Sequence, residues 1–76
     1  MNTNKNQSET LRVIGDNIRK YRNMKGWSQE DLAFECDLHR TYIGAVERGE
    51  KNITILNLIK IKNKLSVCLE HLNPED

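Results

Sequence analysis

The chain contains no apolar run approaching the roughly eighteen residues that a membrane-crossing helix needs, and its polar start, Met1 to Glu9, lacks the apolar centre of a secretion signal. A cytoplasmic protein without membrane contact is expected. Cysteine is scarce: Cys36 and Cys68 are the two present, and without a secretory signal they are expected as free thiols rather than a disulfide framework. No glycine-rich phosphate loop and no Gly-x-Ser-x-Gly elbow occurs, and neither His39 nor His71 stands in an evident catalytic arrangement. So short a chain also leaves little room for a substrate pocket. Enzymatic activity, a cofactor and a small-molecule substrate are therefore not expected. Net charge is low too, at +1, which at first sight suits a nucleic-acid binder poorly, because phosphate neutralisation by Lys and Arg supplies much of such affinity.

What is present is helical patterning in five segments after the polar start, with no segment that reads as a strand. Leu11, Ile14, Ile18 and Tyr21 recur at three- and four-residue steps, predicting an amphipathic helix over about 9–25 that Gly26 terminates. Ser28 stands three residues ahead of Asp31, the spacing of a capping box, and Trp27 and Leu32 are placed as a hydrophobic staple. The helix they start has its apolar face at Leu32, Ala33 and Cys36 and fits only about two turns before Asp37. That residue occupies a tight corner where left-handed backbone is often required, and Asp tolerates it better than most. A second short helix follows. It buries Leu38, Ile43 and Val46 and offers Arg40, Thr41, Gly44, Ala45 and Arg48 on its other flank before Gly49 closes it. Thr54 is a candidate cap for a helix carrying Leu58, Ile61 and Leu65, and a last turn holds Leu69 and Leu72 before Pro74. The expected architecture is all-α: a compact five-helix bundle, residues 9–73, with a helix-turn-helix in its middle and a flexible segment over 1–8.

Distribution of charge matters more than its sum. Arg19, Lys20, Arg22 and Lys25 close the first helix, while Arg40, Arg48 and Lys51 lie in or after the second helix of the pair. That helix has the dimensions to enter a major groove, its first turn meeting base edges. Arg40 can donate twice to guanine O6 and N7, or to phosphate alone; Thr41 can offer a hydroxyl to a base or a methyl to thymine. Tyr42 is open between partial burial and a phenol that reaches DNA. Ala45 completes the candidate base-contacting set. Ser28 and Gln29 lie at a helix N-terminus, where backbone donors and the dipole attract phosphate. Gly44 costs a helix about 0.5–1 kcal/mol against alanine, and close approach of DNA would account for it.

The runs Ile18-Arg19-x-x-Arg22, Gly26-x-Ser28-Gln29-Glu30-x-Leu32-Ala33, Tyr42-Ile43, Glu47-Arg48-Gly49 and Leu65-x-Val67 resemble the phage-repressor-like (Cro/CI, or Xre) helix-turn-helix family over about 14–72. The stretch from Leu38 to Ile53 is similar, more narrowly, to the controller proteins of restriction–modification systems. The resemblance implies an ion pair between Arg22 and Glu47, a backbone grip by Gln29, and a clamp by Arg48, Lys51 and Asn52 on phosphates. It also implies a homodimer on double-stranded DNA with a near-palindromic operator, with Ile55, Leu56, Ile59, Val67, Leu69 and Leu72 forming the subunit contact. Small size points to a partner subunit as well. A controller would act on its own promoter and on a restriction endonuclease gene, activating at low occupancy and repressing at high. Two positions depart from the family pattern: Asp37 stands where glycine is common, and Lys62 where a small apolar residue is usual.

Three other readings stay open. A simple repressor or antitoxin would use the same fold, and a protein-interaction module would hold a partner chain instead of DNA. The repeated spacing of Cys36/His39 and Cys68/His71 also invites a zinc site, although zinc more often pairs cysteines with cysteines at this distance, and no metal is expected.

Overall fold

A computed structural model describes residues 6–74. Among the described residues five helices follow one another: α1 (Gln7–Met24), α2 (Gln29–Cys36), α3 (Arg40–Glu47), α4 (Ile55–Leu65) and α5 (Leu69–Leu72). The first begins two residues ahead of the expected Glu9. Asn6 Oδ1 accepts the Glu9 N–H at 2.8 Å and Glu9 Oε1 accepts the Asn6 N–H at 3.1 Å, a reciprocal cap that carries the helix into the stretch expected to fray. Residues 1–5 of that stretch lie outside the described residues.

The remaining boundaries follow local chemistry. Gly26 and Gly49 turn the chain out of α1 and α3 at φ +73° and +74°. Thr54 Oγ1 accepts the Asn57 N–H at 3.1 Å to open α4. Ser66 closes that helix in left-handed backbone at φ 61°, a conformation that nothing in the sequence flagged.

The core is one cluster: Ile14 and Ile18 from α1, Leu32, Ala33 and Cys36 from α2, Ile43 and Val46 from α3, Ile61 and Leu65 from α4, and Leu72 from α5. Tyr21, Trp27, Leu38, Tyr42, Ile53, Leu58 and Val67 pack against its margin. Gly15 lets α1 lie directly on the end of α3, since a Cβ there would collide with the backbone oxygens of Val46 and Glu47.

One expected role is corrected here. Leu72, assigned to the subunit contact, is wholly buried within the chain, and Val67 is half-buried against the same core. A four-residue helix has one face to give, and α5 gives it to α1: Asn17 Nδ2 donates to the Leu72 carbonyl at 3.0 Å, and His71 meets Tyr21 edge-on at 5.8 Å between ring centres. Ile55, Leu56, Ile59 and Leu69 stay exposed. So does Phe34, on the outer side of α2, at 82 %.

Candidate nucleic-acid interface

The corner between α2 and α3 is built by short-range bonds. Ser28 Oγ accepts the Asp31 N–H at 2.9 Å, and Asp31 Oδ2 accepts the Ser28 N–H at 2.9 Å. Asp37 turns the chain at φ 57°, ψ 45°, and the Leu38 N–H returns to the Ala33 carbonyl at 2.9 Å. His39 occupies the N-cap of α3 without a side-chain capping bond, so the first turn of that helix keeps its N–H donors uncapped by a side chain.

α3 divides as its sequence predicts except at Gly44, expected on the offered flank but buried beneath the Gln29 and Arg48 side chains. Ile43 and Val46 face the core, while Arg40, Thr41 and Arg48 are exposed and Ala45 is half-exposed. Arg40, Thr41, Gly44 and Arg48, joined by Gln29 from α2, line a shallow notch of about 210 Å³. Gly44 forms its floor: a Cβ at that position would come within 3.2 Å of both Arg48 Nη1 and Gln29 Oε1. Lys51 and Asn52 are exposed in the loop that follows.

Beneath the notch sits a buried carboxylate. Glu47 is fully enclosed and receives Arg22 Nε at 2.6 Å, Arg22 Nη2 at 2.9 Å and Gln29 Nε2 at 3.0 Å, with Arg19 Nε 3.6 Å away. Arg22 also donates to the Trp27 carbonyl at 2.8 Å. Hydrogen bonding to Glu47 raises the Arg22 guanidinium pKa above its ordinary value, outweighing the burial that lowers it. Four groups thereby hold α1, the start of α2 and the end of α3 in one geometry. The amide of Gln29 has one N–H committed to Glu47, which fixes its oxygen toward the notch and leaves one N–H to donate. Ser28 accepts within its capping box and retains its own hydroxyl proton. On the far side, Arg48 Nε lies 3.1 Å from Glu50 Oε2, both side chains exposed; that bond raises the Arg48 pKa.

Tyr42 is half-buried with its ring against the core margin, and its hydroxyl accepts from Asn57 Nδ2 at 3.0 Å. The two cysteines differ. Cys36 is buried, and burial pushes its thiol pKa up; Cys68 is exposed at the start of α5, where its N–H donates to His71 Nδ1 at 3.0 Å. Among the described residues no three metal-donor side chains converge.

A sequence-family profile described as helix-turn-helix matches residues 18–70, a span that contains α2, the corner, α3 and the hub around Glu47. The chain belongs to that family. Its relatives narrow the kind. The control protein C.SmaI of Serratia marcescens is 45% identical over 60 residues, covering 79% of this chain and 71% of that protein. The crystal structure of the restriction–modification controller protein C.AhdI from Aeromonas hydrophila superposes with a TM-score of 0.78 at 40% identity, over 82% of this chain and 94% of that one. The controller C.Esp1396I, solved as a tetramer with its natural 35 base-pair operator, matches at TM-score 0.75 and 40% identity over 83% and 88% of the two chains. This helix-turn-helix chain is thus of the control-protein type, a class of transcription regulators and not of enzymes.

Several parts of the helix-turn-helix machinery escaped sequence reasoning. The sequence shows Arg19 as one of a basic group and as part of the Ile18-Arg19-x-x-Arg22 run, and gives it no role, whereas it lies over Glu47 and its Nη2 donates to the Glu47 carbonyl at 3.4 Å. The bond from Gln29 to Glu47 was not foreseen. Its signal was available: Gln29 opens α2 and Glu47 ends α3, the two points that a tight corner brings together. Gly15 carried no signal beyond being a glycine in the interior of a helix, where one costs stability unless something must come close.

Proposed function

We propose that this chain is a homodimeric transcription regulator that binds a near-palindromic operator in double-stranded DNA, α3 of each subunit entering successive major grooves ~34 Å apart. Its regulated genes are its own and that of a restriction endonuclease, and it works in the cytoplasm. No helix among the described residues is long and apolar enough to cross a membrane.

The observation that carries this reading is the exposed edge of Arg40 and Thr41 at the first turn of a helix whose other end is locked by a buried carboxylate. A rigid helix presenting a guanidinium and a hydroxyl is what base readout requires; a flexible one would lose ordering entropy on binding. Crystallised variants of C.Esp1396I alter an arginine, a threonine and a tyrosine at three consecutive positions, the order found here as Arg40-Thr41-Tyr42. Gln29 and Ser28 at the start of α2, with Arg48, Lys51 and Asn52 after α3, flank that edge and serve the phosphates on either side. The dimer contact falls to Ile55, Leu56 and Ile59 of α4 with Leu69 of α5, because a small domain that leaves Leu56 70 % exposed gains stability by covering it.

The test is a comparison of Arg40→Ala with the wild type on two duplexes: one that the wild type selects from a random pool, and one of scrambled sequence. Loss of a bidentate guanine contact, worth about 1–3 kcal/mol, lowers affinity for the selected duplex by roughly fivefold to a hundredfold or more and leaves the scrambled one nearly unchanged. Equal losses on both would reduce Arg40 to a phosphate contact.

A further inference from the structure

Asn57 is the third residue of α4, and it is held twice. Its backbone N–H donates to Thr54 Oγ1 at 3.1 Å, and its side-chain amide donates to the Tyr42 hydroxyl at 3.0 Å. Both side chains are half-buried. Among the described residues this is the side-chain hydrogen bond that joins α3 to α4. The two helices it joins have different work in the reading above: α3 carries Arg40 and Thr41, and the first turn of α4 carries Ile55 and Leu56, both exposed.

We propose that Asn57 is a positioning residue for operator binding. By holding the phenol of Tyr42 it fixes the first turn of α3, with Thr41 beside it in the chain, relative to the helix that bears the dimer contact. The inference rests on the proposed function and deepens it. Tyr42 is a neighbour of both base-reading candidates, and its ring already packs on the core margin, so the amide has only the ring's outer end to secure. A phenol oxygen that accepts from an amide keeps its own proton, available to a base acceptor. In a two-fold dimer the angle between reading helices depends on how each α3 is set on its own α4, so the same bond bears on the spacing of half-sites.

The experiment is a double-mutant cycle. Asn57→Ala, Tyr42→Phe and the double variant are measured against the wild type on the duplex it selects from a random pool and on a scrambled duplex, with thermal unfolding and sedimentation run on each protein. Each single change weakens the selected duplex by about three- to tenfold, the scale of one hydrogen bond, and spares the scrambled one; the double variant is no weaker than the poorer single. The Asn57→Ala protein also loses less than the wild type when one base pair is inserted between half-sites. Should Asn57→Ala fail to fold, Asn57→Ser, which keeps a short polar side chain, is measured in its place. Unchanged affinity in the Asn57 variant, or losses that multiply in the double variant, overturns the proposal. Arg40→Ala run alongside separates the two failures: a selective loss there with none at Asn57 sinks this inference alone, whereas no loss at Arg40 sinks the reading beneath it.

Discussion

Arg22 and Glu47, 25 positions apart in the chain, meet as a two-pronged pair: Nε lies 2.6 Å from one carboxylate oxygen and Nη2 2.9 Å from the other. Glu47 is fully buried and Arg22 nearly so. Removing one partner strands the other in a medium that solvates it poorly, so Glu47→Ala is expected to cost about 3–5 kcal/mol. Replacing both with apolar residues of similar volume, Arg22→Met with Glu47→Leu, costs less than the single change because no charge is stranded. Urea unfolding of the three variants checks the order. A double variant at least as unstable as Glu47→Ala would show that the pair contributes more than it loses by desolvation.

The two glycines that lie inside helices separate folding from binding. Gly15→Ala brings a methyl to within 2.6 Å of the Glu47 backbone oxygen, which cannot move without shifting α3, so the protein is destabilised. Gly44→Ala meets only the ends of Arg48 and Gln29 side chains at 3.2 Å. Arg48 can swing aside and Gln29 has to shift by only a few tenths of an ångström, which keeps its bond to Glu47, so the added helix propensity of about 0.5–1 kcal/mol leaves the fold intact or firmer. Filling the notch, however, displaces both side chains and the space above them. Thermal unfolding should therefore rank Gly44→Ala at or above the wild type and Gly15→Ala below it, while DNA affinity falls in the Gly44 variant.

Substitutions at the apolar surface should divide in the same manner. Leu56→Asp combined with Ile55→Asp alters residues 70 % and 59 % exposed, so the chain keeps its helical content and sediments as a monomer. Leu72→Ala, by contrast, opens a cavity in the core and is expected to cost about 2–5 kcal/mol. A folded dimer from the Asp pair would place the subunit contact elsewhere.

Cys36 gives the stability a definite dependence on alkaline pH. Burial raises its thiol pKa in the folded chain, with a smaller opposing pull from Lys64 and Lys60. The unfolded thiol ionises first, so the stabilisation is complete below the ordinary thiol range and falls as pH rises through and above it. Cys36→Ala removes that part of the slope. At neutral pH a thiol reagent modifies the exposed Cys68 first, and mass spectrometry of partly labelled protein shows the order.

What could be read from the sequence was local, or came with the family resemblance. The Ser28/Asp31 cap and the left-handed corner at Asp37 depend on residues within a few positions of one another. The division of α3 into a buried and an offered flank follows from helical period alone. The link between Arg22 and Glu47 spans 25 positions and was implied by resemblance rather than by spacing. Other features depended on which distant element arrives. Leu69 and Leu72 look alike in a four-residue turn, and only the docking of α5 on α1 sends one to solvent and the other to the core. Asn57 reads as an ordinary polar residue of an amphipathic helix until Tyr42 is placed beside it. The start of α1 was hidden for a different reason: Asn6 and Glu9 form a cap, but in a stretch whose polarity suggested a tail.

Guanine N7 methylation tests the central claim most directly. Arg40 at the major-groove edge of each half-site requires that methylating one guanine in each, about one helical turn apart, abolishes wild-type binding and ceases to matter for Arg40→Ala. An identical interference pattern for the two proteins, or a single sensitive guanine without a symmetric mate, would contradict the account.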